Sequence, residues 1–290
     1  MIYFLIFSKS FAILIRKREG LRRMNMRVYI SADLEGITGV SKWDETIKGK
    51  ADYERYREQM TREVVAACEG AMEAGADYIL VKDAHDDGKN LIHSMLPKQV
   101  KIISGWSNHP YNMVEGLDES FNAAIFIGYH SGAGSNGSPL AHTLHPRQIK
   151  KITINGKEAN EFLIHAYACY MIGVPVVTVS GDGDLMRQVR EFAPEIKTVA
   201  VQEGFGGAIV SIHPELAVER IKRGVKKSLE DLEMYSFEEP KSYEMLIEFK
   251  NHAEAYKFSF YPNAEQVNEH TIRYVSNQYI NLLTLLLFLG

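Results

Sequence analysis

The sequence predicts an α/β fold in which helices cover both faces of a mostly parallel sheet, in three layers. From Arg27 onward, short β-branched runs alternate with longer segments of helical periodicity, a pattern typical of parallel sheets. The chain has 290 residues, 46% hydrophobic and 24% charged, which is ordinary for a globular protein. This length allows one large domain or two modest ones.

The individual elements follow from these patterns. Strands are predicted at residues 28–32, 78–82, 101–104, 124–128, 152–154, 174–179 and 198–201. Helices are predicted at residues 52–74, 158–172, 184–192 and 214–230. In the first helix, Met60, Val64 and Ala67 recur at three- and four-residue spacing and form an apolar stripe, and Gly75 supplies the stop.

The pattern becomes less regular after about residue 190, where a strand at 245–249 and an apolar terminal helix at 280–289 are predicted. We therefore expect an α/β domain over residues 26–190 and a smaller α+β domain over residues 191–290. Residues 1–25 are predicted to lie outside the fold, with Met24 or Met26 as the functional start. Their apolar stretch precedes a basic cluster, the reverse of a signal peptide, and is too short to span a membrane, so a membrane anchor is the lesser alternative.

Composition and motifs exclude several functions. With 33 Lys and Arg against 37 Asp and Glu, the net charge of −4 disfavours a nucleic-acid partner. Cys68 and Cys169 lie in apolar helical patterns without CxxC spacing, which argues against a disulfide scaffold and fits a reducing compartment such as the cytoplasm. Dinucleotide and phosphate-loop motifs, the GxSxG elbow and the HExxH helix are also missing from the sequence.

Acidic and histidine residues follow four of the predicted strands, in the segments SADLEG, KDAHD, GYH and SGDGD. Because the carboxyl ends of parallel strands meet at one edge of a sheet, these side chains are expected to converge. Carboxylates and imidazoles without thiolates suit Zn²⁺ or Mn²⁺, and so many ligands suit two ions better than one. The Gly/Ser-rich segment 131–138 is predicted to be a mobile loop that leads to His142 and His145, and the residues alone do not choose between these two histidines.

Several motifs resemble those of the D-aminopeptidase family, the dipeptide-transport-operon type of dinuclear zinc peptidase. They are SADLEG, VKDAH, MVEGLD, IGYHSGAG, AHTLH, ANEFLIHAYACYMIGVPVVTVSGD and IEFKN, in family order from about Met26 to the C-terminal helix. The resemblance implies two zinc ions per subunit and a decamer of stacked rings. It also implies hydrolysis of short peptides that begin with a D-amino acid.

The resemblance also implies the metal ligands. Asp33 would bridge the two ions. Glu35 and His130 would complete one zinc site, and His85 and Glu161 would complete the other. Glu161 enters only by resemblance, because an acidic residue early in a helix ordinarily just complements the helix dipole.

The resemblance assigns the catalytic role to His142, as a proton relay or an oxyanion donor. One departure concerns the segment around Gly206, where family members tend to carry a basic residue and this chain has none. Two alternatives to a D-aminopeptidase stay open. One is a dimetal hydrolase of another amide or of a phosphoester, and the other is a non-catalytic, metal-stabilised protein that forms rings.

Overall fold

The computed structural model describes residues 26–237 and 239–289, so the predicted extension at residues 1–25 lies outside the described part. The strands are β1 Met26–Ala32, β2 Ala76–Asp83, β3 Lys101–Ile103, β4 Ala123–Tyr129, β5 Ile149–Ile154, β6 Lys157–Glu158, β7 Val176–Asp182, β8 Lys197–Phe205, β9 Ala208–Ser211, β10 Tyr243–Phe249, β11 Ala264–Asn268 and β12 Thr271–Ser276. The helices are α1 Tyr53–Glu73, α2 Glu161–Ile172, α3 Gly183–Phe192, α4 Pro214–Glu230, α5 His252–Phe258 and α6 Tyr279–Leu287.

The predicted α/β class is confirmed. A seven-stranded sheet has the order β3-β2-β1-β4-β7-β8-β9, in which every pair is parallel except the β8–β9 hairpin. β4 and β7 are buried along their whole length, which accounts for the continuous apolar runs in the sequence. A second, five-stranded antiparallel sheet has the order β11-β12-β10-β5-β6.

The helices separate into layers around the first sheet. On one face α1 packs against α4, and the predicted stripe of Met60, Val64 and Ala67 is fully buried there. On the other face α2 lies between the two sheets. Its Phe162 contacts Phe126 of β4, while Tyr167 on the opposite side contacts Tyr243 of β10. Residues 161–169 of α2 are all buried, which explains why this helix is mainly apolar.

The chain passes between the two sheets more than once. β5 and β6 precede residue 190 and belong to the second sheet, whereas β8 and β9 follow it and complete the first. The predicted domain division at residue 190 thus does not coincide with the division between the sheets, and it stays a prediction. Across the described residues, no helix is both long enough and apolar enough to cross a membrane.

Candidate metal centre

The five predicted metal ligands converge at the carboxyl end of the first sheet. Asp33 and Glu35 follow β1, His85 follows β2, and His130 follows β4. Glu161 is the first residue of α2, where the Asn160 side chain caps the helix by accepting a hydrogen bond from the Leu163 amide at 2.8 Å. Each of the five predicted ligands is at most 6% exposed.

The Asp33 carboxylate lies between the two histidines. Its Oδ1 is 3.3 Å from Nδ1 of His85, and its Oδ2 is 3.5 Å from Nε2 of His130. His85 Nδ1 also lies 2.9 Å from Glu35 Oε2, and His130 Nε2 lies 3.3 Å from Glu161 Oε2. A carboxylate with one oxygen toward each imidazole is the arrangement that a bridging ligand requires.

Backbone carbonyls fix the orientation of both imidazoles. His85 Nε2 donates to the carbonyl of Thr46 at 2.8 Å, and His130 Nδ1 donates to the carbonyl of Ser131 at 2.9 Å. Because a carbonyl only accepts, the proton of each neutral ring sits on the outer nitrogen. The inner nitrogens, which face the carboxylates, are then free to bind a metal, as in most histidine metal sites.

Several inward-facing atoms are buried without a hydrogen-bond partner, namely Oδ2 of Asp33, Oε2 of Glu35 and Nε2 of His130. Buried polar atoms without partners are costly, and they are rare in folded proteins. Oxygen and imidazole nitrogen are the ligand atoms of zinc when thiolates are absent. The residues present therefore fit a zinc site, and a bound cation would satisfy these atoms.

The pKa values of these residues also indicate that the site needs positive charge. Burial, together with the nearby Glu35, raises the pKa of Asp33 to about 8. Burial opposes the charged forms of His85 and His130, but the surrounding carboxylates outweigh it and raise both pKa values well above the ordinary range. In the metal-free protein, protons thus take the place of cations among the crowded carboxylates.

Two groups of three residues could each hold one ion, because within each group the possible ligand atoms all lie within 4.8 Å of one another. One group is Asp33, Glu35 and His130, and the other is His130, His142 and Glu161. The first is the set that the resemblance implies for one zinc ion. The second joins Glu161 to His130 and His142, whereas the resemblance joins it to His85. The division of the ligands between two ions stays a prediction.

His142 is 9% exposed and lies beside the predicted ligands. Its ring stacks on that of His130 with centroids 4.3 Å apart, and its Nε2 is 3.7 Å from Glu161 Oε1. Nδ1 donates to the Leu140 carbonyl at 2.9 Å, which leaves Nε2 unprotonated in the neutral ring. Burial and the neighbouring His130 lower the pKa of His142. A neutral imidazole with a free nitrogen in this position can accept a proton or bind a metal.

Known proteins resemble this chain in sequence and in fold. The D-aminopeptidase family model matches residues 26–288. The chain belongs to the D-aminopeptidase family. It is 31% identical over 242 residues to a D-aminopeptidase of Bacillus subtilis (strain 168), an alignment that covers 83% of this chain and 87% of that protein. It also resembles the solved structure of the zinc-dependent D-aminopeptidase DppA from Bacillus subtilis, described as a self-compartmentalizing protease, with a TM-score of 0.85 and 27% identity over 91% of this chain and 96% of that chain.

Within this D-aminopeptidase fold, two glycines let the backbone close around the ligands. A Cβ at Gly36 would lie 1.9 Å from the carbonyl oxygen of Tyr129. Gly128 has φ +72°, and a Cβ there would lie 2.2 Å from the carbonyl oxygen of Asp33. Such approaches are open only to glycine, and they bring the turn after β1 against the end of β4.

The loop after His142 contributes a backbone hydrogen-bond donor to the Glu161 carboxylate. Leu144 adopts a left-handed conformation with φ +59°, which is costly for a bulky residue. In that conformation its amide donates to Glu161 Oε1 at 2.7 Å. Sequence reasoning did not anticipate this contact, because nothing in the residue type signals a positive φ at a leucine. Mobility of the segment 131–138 stays a prediction.

A cavity of about 910 Å³ opens above the ligands. Trp43 and Trp106 form part of its wall, and His145 lines it without joining either set of close ligand atoms. Trp106 is backed by the buried Lys82, whose Nζ lies 3.8 Å from the ring centroid and 2.9 Å from Glu115 Oε1. The two aspartates around the end of β7 have other contacts. Asp182 caps α3 and accepts a hydrogen bond from the Ser131 amide, and Asp184 pairs with Arg187 at 3.1 Å.

Proposed function

We propose that this protein removes D-amino acids from the N-terminus of short peptides at a dinuclear zinc centre. That it is a zinc-dependent aminopeptidase follows from its family together with its likeness to the zinc-dependent enzyme of Bacillus subtilis. The observation that best supports a dinuclear site is the group of buried atoms that lack hydrogen-bond partners, namely Asp33 Oδ2, Glu35 Oε2 and His130 Nε2.

The five buried side chains would hold the ions. Asp33 would bridge them, since its two oxygens face different histidines. Glu35 and His130 would bind one ion, and His85 and Glu161 would bind the other. When bound, two zinc ions lower the pKa of water, polarise a carbonyl group and stabilise the oxyanion that develops from it.

The protein's own contribution to proton transfer would come from His142. Its Nε2 would take a proton from the attacking water and return it to the leaving amine. The hydrogen bond from Nδ1 to Leu140 holds the ring in the tautomer that this role needs. Burial lowers the pKa of His142, which keeps the ring neutral and able to accept a proton near neutral pH.

We infer that the chain assembles with copies of itself, because its structural relative is self-compartmentalizing, and that the assembly is a decamer of stacked rings. We also infer a cytoplasmic location, since Cys68 and Cys169 are both free and buried.

The decisive experiment is metal analysis of the purified protein, paired with hydrolysis of D- and L-aminoacyl amides with and without a chelator. We expect two zinc ions per chain, faster hydrolysis of the D-series and loss of activity on chelation. His85→Ala and His130→Ala should each lower the zinc content, whereas the control His109→Ala, at an exposed residue outside the site, should not.

Other outcomes would contradict the proposal. One zinc ion or none in carefully reconstituted protein would refute the dinuclear centre. Cleavage of a phosphoester, but not of a D-alanyl amide, would point to a different dimetal hydrolase. A zinc-loaded protein that cleaves no peptide would indicate a non-catalytic scaffold.

A further inference from the structure

The cavity above the candidate metal centre carries opposite charges from different parts of the chain. Acidic side chains reach it from the segments after β1 and β2 and from the start of α2. Basic side chains reach it from Arg147, in the loop after His145, and from Lys250, which directly follows β10. A ligand in this cavity therefore meets carboxylates and any bound cations on one part of the wall and two basic side chains on another.

These two basic residues differ from their neighbours in lacking a carboxylate partner. Among the described residues, neither Arg147 nor Lys250 has a carboxylate within ion-pair distance. By contrast, Lys150 pairs with Glu248 at 2.7 Å, and Lys151 pairs with Glu158 at 3.8 Å. Nearby lysines that do not line the cavity are thus neutralised within the protein, while the two cations that do line it are left available.

The backbone that carries the two cations is tied down. The Lys250 amide donates to the Gln148 carbonyl at 2.8 Å, and its Nζ donates to the Pro146 carbonyl at 2.7 Å. The amides of Gln148 and Ile149 both donate to the His145 carbonyl, at 3.1 and 3.0 Å. The Lys250 ammonium keeps two further N–H donors, and positioned charges cost less entropy to engage than freely moving ones.

We propose that Arg147 and Lys250 bind the C-terminal carboxylate of a short peptide whose first peptide bond lies at the metal centre. This assignment rests on the proposed function. The guanidinium of Arg147 can form two parallel hydrogen bonds to a carboxylate, and Lys250 adds a second cation. An extended chain spans about 3.3–3.6 Å per residue, so a fixed carboxylate site selects peptides by length. The enzyme is then specific for short peptides and discriminates against those with a blocked C-terminus.

The test compares D-Ala-D-Ala with its C-terminal amide, D-Ala-D-Ala-NH₂, and includes D-alanyl p-nitroanilide, which has no carboxylate. In the wild-type protein, kcat/KM for the free acid should exceed that for the amide by about tenfold, the size of one charge-assisted hydrogen bond. Arg147→Gln should reduce this ratio toward one, mainly by raising KM for the free acid, and Arg147→Lys should restore part of it. The control Lys150→Gln removes a nearby charge that does not line the cavity and should keep the wild-type ratio.

Equal kcat/KM for the free acid and the amide in the wild-type protein would overturn the assignment. So would an Arg147→Gln protein that keeps the wild-type ratio. Hydrolysis of the p-nitroanilide distinguishes failure of this assignment from failure of the proposed function, because that substrate needs no carboxylate site. A zinc-loaded protein without turnover on any of the three substrates would refute the proposed function and this assignment with it.

Discussion

Replacing His142 by alanine tests whether this residue moves protons or binds metal. The His142 ring lies beside the predicted ligands, with Nε2 3.7 Å from Glu161 Oε1 and its centroid 4.3 Å from that of the His130 ring. If His142 is a proton relay, both zinc ions should stay bound while kcat falls by about 10²- to 10⁴-fold. The same change at His145, which lines the cavity outside both ligand sets, should cost less than about tenfold.

The folded state should survive the His142 substitution. The change removes one hydrogen bond, to the Leu140 carbonyl, and two ring contacts, with His130 and Trp43. A lost hydrogen bond of this kind costs about 1 kcal/mol, a modest part of the roughly 5–15 kcal/mol that stabilises a typical domain. A loss of activity accompanied by a near-normal melting temperature therefore reports on chemistry rather than on unfolding.

The assay measures three quantities for the wild-type protein and both variants: zinc per chain, melting temperature, and kcat on D-alanyl p-nitroanilide. Loss of zinc together with activity in His142→Ala would refute the relay, because it would make His142 a ligand, as its closeness to His130 and Glu161 allows. An inactive His145→Ala beside an active His142→Ala would show that the other histidine of the loop carries the role.

Three further predictions concern stability. In the metal-free protein, the pKa values of Asp33, His85 and His130 are raised above those of the unfolded chain, so the folded state holds extra protons and its melting temperature should fall as the pH rises from about 7 to 9. The lowered pKa values of His142, His145 and His165 act in the opposite direction only at lower pH. Bound zinc should abolish this decrease in melting temperature. A metal-free protein whose melting temperature rises over the same pH range would contradict the raised pKa values. Gly36→Ala forces a Cβ against the Tyr129 carbonyl, so it should lower the free energy of unfolding by several kcal/mol in urea titrations and also lower the zinc content. In the control Gly207→Ala the added Cβ meets open space, and the free energy of unfolding should change by less than about 0.5 kcal/mol. Asn160→Ala removes the cap of α2 and should cost about 1 kcal/mol in the same titrations, and an unchanged value would show that the cap is dispensable.

The parallel sheet could be predicted because its central strands are buried on both faces and read as continuous apolar runs. The edge elements could not. β11 is almost wholly exposed, so no hydrophobic pattern marks it, and β9 is exposed and only four residues long. The pairing of β5 with β10 joins segments about 95 residues apart, and nothing local in either strand encodes it.

The strand ends predicted four of the five candidate ligands, since adjacent parallel strands deliver their C-terminal residues to one place. Glu161 escaped this reasoning because it comes from a helix that lies between the two sheets. Its position depends on the burial of both sides of α2, through Phe126 on one side and Tyr243 on the other. The same limit applied to His142, since its inward orientation depends on contacts with Leu140 and His130 that residue type alone does not reveal.

The metal centre and the fold are thus coupled through the carboxylates. Asp33, Glu35 and Glu161 are each 3% exposed, and burying three carboxylates together is unfavourable unless positive charge lies among them. In the metal-free protein, protons on the histidines and on Asp33 meet part of that need. Bound zinc would replace those protons, so zinc affinity should rise with pH over the range in which the metal-free protein loses stability. The positive φ of Leu144 is a backbone cost that this coupling would help to offset, because the Leu144 amide holds the Glu161 carboxylate in place.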